Sequence, residues 1–96
     1  MKVYTIAILK AKEGSTQQMI NSLTKLAHAS REEQGAQDYG FYQSQEDPNT
    51  IVSFEEWQDS EAEAAHWQTP HLQAALIELE PIFAEAPIIY KGPKII

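Results

Sequence analysis

His66 is the side chain with the most chemistry to offer. With Ala62 as the inward point of a short helix, Ala65 and His66 follow at i+3 and i+4, so the imidazole shares a face of small residues that must meet a sheet. A histidine over a space bordered by alanines and strand aromatics suits a general base working near neutrality. The same position also suits a core histidine hydrogen-bonded to a backbone carbonyl. His71 falls near the start of the helix that Thr69-Pro70 opens, where unpaired N–H groups and the positive end of the helix dipole favour a neutral ring. There it can bond a substrate oxygen or simply serve the Thr69-Pro70 kink. The two histidines straddle a proline, unlike the i, i+4 pair of a helical zinc site. No acidic residue stands out as a third ligand, so no metal is expected. His28 points away from the apolar stripe of its helix and reads as a solvated surface residue.

Arg31, the sole arginine, lies with Ser30 and Gln34 where the first helix turns from apolar to polar. Such a change can line a cavity mouth, or it can mark a fraying end with Arg31 paired to Glu33 or another carboxylate. Glu55 and Glu56 are consecutive on a strand and face opposite ways, which rules them out as an acid/base pair. Tyr39, Phe41, Tyr42, Phe54, Trp57 and Trp67 suit either a core and dimer interface or the walls of a site for a flat apolar ligand. Phosphate loops, nucleophile elbows and dinucleotide fingerprints are all missing from the sequence.

Few elements are available to position these residues. A chain of 96 residues and 10.8 kDa makes one domain over 1–96, and domains this small gain stability from added burial. With no cysteine, disulfides and thiolate metal sites are excluded, which leaves a partner subunit. A net charge of −7 has the wrong sign for nucleic acid. No basic cluster, apolar signal run or spanning segment appears, so the expectation is a cytoplasmic protein without a membrane or nucleic-acid partner.

Val3 to Ala11 reads as a strand with apolar residues on both faces. Ser15 with Gln18 forms a capping box ahead of a helix starting near Thr16, striped by Met19, Ile20, Leu23, Leu26 and Ala27 and stopped by Gly35. A strand from Tyr39, the Glu46-Asp47-Pro48-Asn49 turn and a strand over Ile51–Trp57 make an antiparallel hairpin. Ser60 with Glu63 is a second capping box, opening a helix over Glu61–Gln68. A longer helix striped by Leu72, Ala75, Leu76 and Leu79 follows Pro70, and Ile88–Tyr90 is the last strand. The order β-α-β-β-α-β is the α+β, ferredoxin-like arrangement, with helices on one face of an antiparallel sheet. Strands apolar on both sides predict that a second sheet, from an identical chain, covers the other face.

The runs Arg31-Glu32-Glu33-Gln34-Gly35, Phe54-Glu55-Glu56-Trp57-Gln58-Asp59 and Ala65-His66-Trp67-Gln68-Thr69-Pro70-His71, with Tyr39, the Glu46-Asp47-Pro48 turn and Ala62, resemble the antibiotic biosynthesis monooxygenase family. The resemblance spans nearly the whole chain and is strongest from Glu56-Trp57 to His71. It implies a dimeric α+β barrel and a monooxygenase that needs no cofactor, acting with O2 on quinols or aromatic polyketides. It puts His66 at the cavity as the base, with Trp57 and His71 in the walls; Tyr39, Phe54, Trp67 and Arg31 complete the expected substrate contacts. Relatives also include a sugar-phosphate epimerase, and a non-redox isomerase or a non-catalytic ligand-binding dimer fits the same scaffold. Haem-degrading relatives use a first-strand Asn and a helix His that this chain lacks, Leu76 standing in the ligand's place.

Overall fold

Every second residue of Thr50–Trp57 is buried: Ile51, Ser53, Glu55 and Trp57 face the helices, while Val52, Phe54 and Glu56 face away. That alternation divides the molecule into two layers. The computed structural model describes residues 1–96, in the order β1 (Val3–Lys10), α1 (Thr16–Ser30), β2 (Ala36–Gln43), β3 (Thr50–Trp57), α2 (Ser60–His66), α3 (Pro70–Leu79), a 3-10 turn (Glu80–Ile82) and β4 (Ile88–Gly92). All strand pairs are antiparallel and the sheet order is β2-β3-β1-β4, the expected ferredoxin-like topology with its second helical region divided in two.

The core lies between the inner sheet face and the helices. Leu9, Tyr39, Ile51 and Trp57 supply the strand side; Met19, Leu23 and Leu26 from α1 and Leu72, Ala75 and Leu79 from α3 supply the other. The α1 stripe is the expected one except that Ile20 is only half-buried, with Ser22 and Ser30 added to its buried side. In α3, Leu76 is only half-buried. The outer face carries Tyr4, Ile6 and Ile8 of β1, Tyr42 of β2, Phe54 of β3, and Ile88 and Tyr90 of β4, with Ile6 and Tyr90 paired across strands and 45% and 64% exposed.

Several local signals resolve differently from the sequence expectation. Ser15 occupies the N-cap of α1, but its side chain makes no cap hydrogen bond. Thr16 binds the Asn49 side chain instead, tying the helix start to the β2–β3 turn. The cap of α2 is Asp59, which accepts the Ala62 N–H at 2.8 Å, so the Ser60–Glu63 box does not form and the helix is Ser60–His66. Glu63 is drawn inward to the Trp67 indole at 2.7 Å. Gly35 does not end α1, which stops at Ser30; at φ +89° it turns the chain into β2.

Candidate active site

His66 is the last residue of α2, and its ring is 2% exposed. The Asp59 cap fixes the start of the helix, so the imidazole lands over the end of β3. The Trp57 ring is fully buried, 4.7 Å from the imidazole and tilted by 38°. From β2, the Tyr39 hydroxyl reaches to 3.3 Å from His66 Nε2. On the other side of the ring, Nδ1 lies 2.7 Å from Glu33 Oε2, and His71 Nε2 at the start of α3 lies 2.6 Å from that same oxygen. Four segments thus meet at one imidazole. The loop that brings Glu33 is fastened by the Gln58 N–H donating to Gly35 O at 2.8 Å.

Glu33 is the acid that sequence reasoning missed. It sits just beyond a helix end and reads locally as a partner for Arg31, but Arg31 instead donates Nε–H to Tyr39 O at 2.9 Å. Glu33, His66 and His71 offer ligand atoms within 4.8 Å of one another, a set able to hold a divalent cation. The contacts of 2.6 and 2.7 Å are nevertheless those of charge-assisted hydrogen bonds. Two donors on one zinc ion, each about 2.0–2.1 Å from it in tetrahedral geometry, stand roughly 3 Å or more apart.

His66 and Tyr39, whose hydroxyl faces Nε2, line a small apolar cavity of about 70 Å³ between sheet and helices, with Glu55, Trp67, Leu76 and Phe83 also in its wall. That is well below the roughly 300 Å³ at which ligand pockets begin. An aromatic ring therefore enters only if lining side chains move aside; Trp67, Leu76 and Phe83 are among those that are only half-buried. Trp67 is held by Glu63, and Lys91 both bonds Glu63 at 3.2 Å and lies 5.7 Å over the indole ring.

Glu55 was missed as well, because only the fold shows which strand face is covered. Its carboxyl forms part of the cavity wall, where it accepts the Ser53 hydroxyl at 2.9 Å and the Trp57 indole N–H at 3.0 Å. Burial pushes its pKa upward, against the lowering influence of these two donors and of His66. Burial also pushes the Tyr39 phenol well above its usual range, with Glu55 adding to the rise and Ser30 opposing it. Both groups are thereby biased towards their neutral, proton-bearing forms.

Of the residues expected around the substrate, Tyr39, Trp57, Trp67 and His71 gather about His66; His71 reaches it through Glu33. Phe54 and Arg31 do not. Phe54 stands on the outer sheet face, stacked 4.7 Å from Tyr42 across Gly40. Arg31 is exposed and borders a separate cleft of about 340 Å³ between α1 and β2, with His28, Ile20 and Phe41. Ala65 is exposed too: the inward face of α2 is centred on Glu63 and His66, one turn apart, and this rotation carries Ala65 out to solvent.

The sequence profile of the family described as antibiotic biosynthesis monooxygenase matches residues 2–76. A Bacillus subtilis (strain 168) protein named "Putative monooxygenase YcnE" is 30% identical over 67 residues, 70% of each chain. Among solved structures, a putative antibiotic biosynthesis monooxygenase from Nitrosomonas europaea superposes with a TM-score of 0.93 at 23% identity, covering 100% of both chains. A conserved protein from Methanosarcina mazei Go1 gives 0.93 at 24% identity, covering 98% of this chain and 93% of its own. No helix here is long and apolar enough to cross a membrane.

Proposed function

The chain belongs to the antibiotic biosynthesis monooxygenase family, and on that premise we propose that it is a cofactor-independent monooxygenase oxidising a quinol-like or polyketide-type aromatic with O2. One observation carries the reading. A buried imidazole has one nitrogen on a carboxylate and the other towards an aromatic-walled apolar cavity.

In this reading His66 Nε2 removes a proton from a substrate hydroxyl. The electron-rich anion passes an electron to O2, and the radical pair combines with formation of a C–O bond. The peroxide oxygen takes back the proton held on His66. Loss of the remaining proton on the oxidised carbon breaks the O–O bond, leaving a quinone carbonyl and water. The four electrons that reduce O2 all come from the substrate, so the protein supplies a base, orientation and exclusion of water. Tyr39 and Trp67, which line the cavity, are the substrate-facing aromatics, with Trp57 packed against the His66 ring, and the subunit works as a homodimer whose outer sheet faces pack together.

Oxygen uptake with a panel of hydroquinones and hydroxylated anthrones tests the proposal. Turnover is expected in the wild type and a drop of roughly 10²-fold or more in His66→Ala, the usual worth of a general base. Unchanged turnover in the variant removes His66 from the mechanism. No oxygen uptake, with aromatic binding retained, makes the protein a ligand-binding dimer instead.

A further inference from the structure

We infer that Glu33 is a positioning residue that holds His66 in the tautomer with its proton on Nδ1, leaving Nε2 as the proton acceptor on the cavity side. The inference rests on the monooxygenase reading for its purpose, but not for its evidence.

That evidence is the pair of contacts at one atom. Glu33 Oε2 lies 2.7 Å from His66 Nδ1 and 2.6 Å from His71 Nε2. Each contact needs a proton between the heavy atoms. An imidazole is a stronger base than a carboxylate, so those protons belong to the rings and Oε2 accepts from both. Two N–H donors also pin the carboxylate from two sides, with Glu33 11% exposed and His71 27% exposed at the solvent edge.

With Nδ1 committed as a donor, a neutral His66 has its lone pair on Nε2. The only protein group facing that lone pair at hydrogen-bond distance is the Tyr39 hydroxyl, at 3.3 Å. This is at the long end for such a bond, so a substrate hydroxyl can take its place. Once His66 gains the substrate proton, the imidazolium lies directly against the Glu33 carboxylate. The charge formed in the reaction therefore meets a fixed counter-charge, with no need for water in the cavity. Glu55 on β3 places a second carboxyl on the sheet side of His66, but burial favours its neutral form, and it bonds Ser53 and Trp57 instead of either ring nitrogen. His71 does not touch the cavity. It acts on His66 only through Glu33.

The test is a long-range ¹H–¹⁵N spectrum of the histidine rings in the 96-residue chain, recorded over a series of pH values, for the wild type and Glu33→Ala. The expected result is a protonated Nδ1 and a bare Nε2 for wild-type His66, with the proton moving to Nε2 in the variant. A wild-type His66 protonated on Nε2 overturns the inference without any variant having to fold. So does an unchanged Nδ1 proton in Glu33→Ala. Kinetics add a second readout on any substrate that the wild type turns over. Glu33→Ala should lose roughly 10²-fold in kcat with KM within about threefold, and Glu33→Asp should recover part of the loss, since the wrong tautomer costs chemistry and not binding. If no substrate is turned over, the monooxygenase reading fails while the spectrum still decides the role of Glu33.

Discussion

Gly35 is pressed against Ala62: a Cβ at Gly35 would stand 2.6 Å from the Ala62 Cβ, and the glycine backbone sits at φ +89°. This contact lays the loop that carries Glu33 directly on the helix that carries His66. Gly35→Ala adds a side chain where neither the backbone nor the space accepts one. A left-handed non-glycine residue costs about 1–2 kcal/mol, and overpacking costs about 1–3 kcal/mol more. The variant should lose about 2–5 kcal/mol in urea unfolding; an unchanged midpoint would show that the loop yields freely.

Glu55 gives a pH dependence with a definite sign. Its pKa is raised in the folded chain above the ordinary 4.5, mainly by burial, so the charged form is disfavoured on folding. Its contribution to stability is complete below the unfolded pKa and is lost as pH rises through the folded one. Glu55→Gln keeps the shape and removes the titration. The melting temperature of the wild type relative to Glu55→Gln should therefore fall as pH rises from about 4 towards neutrality. A difference that grows over that range contradicts the burial account.

Most of the fold was legible because local rules agree with the tertiary packing. Period-two strands, the Thr69-Pro70 start and the α1 stripe each predict their element, and Thr69 does cap α3 by accepting the Leu72 N–H at 3.3 Å. The caps of α1 and α2 were not legible: Ser15 and Ser60 have the right spacing, but Ser15 makes no side-chain cap bond and Glu63 turns to the Trp67 indole. The site was half legible. His66 could be placed on an inward face from its own helix, whereas Trp57 entered the site's walls only through the family resemblance. Glu33 could not, because its role depends on a loop conformation set by Gly35 and on two histidines more than thirty positions away.

Ser30 Oγ and Thr5 Oγ1 are buried without a hydrogen-bond partner. A buried hydroxyl left unpaired costs roughly 1–3 kcal/mol relative to a paired one. Ser30→Ala and Thr5→Val should each hold or raise stability, by up to about 1 kcal/mol, as judged by urea midpoints. Ser30 borders the Tyr39 hydroxyl. A clear loss in Ser30→Ala alone would therefore mean that Tyr39 spends its proton on Ser30 and leaves His66 Nε2 bare.

The proposed homodimer would form on the outer sheet face. Ile6 lies at its centre, on β1 between β3 and β4, opposite Tyr90 and 45% exposed in the single chain. If two such faces pack together, each dimer buries two copies of Ile6, and full burial of one such side chain is worth about 1.5–3 kcal/mol. Ile6→Lys forfeits, twice, the burial of the 45% of Ile6 still exposed in the single chain, about 1.4–2.7 kcal/mol in all, and brings two charges to an apolar contact, so dimer affinity should fall by roughly 10–10²-fold or more, since about 1.4 kcal/mol is tenfold. Light scattering at micromolar concentration should show a dimer for the wild type and a monomer for the variant. Ile77→Lys is the control: Ile77 is 74% exposed on α3, away from the sheet, and its replacement should leave the dimer intact. A wild type that is monomeric, or an Ile77 variant that dissociates while the Ile6 variant does not, would move the interface off this face.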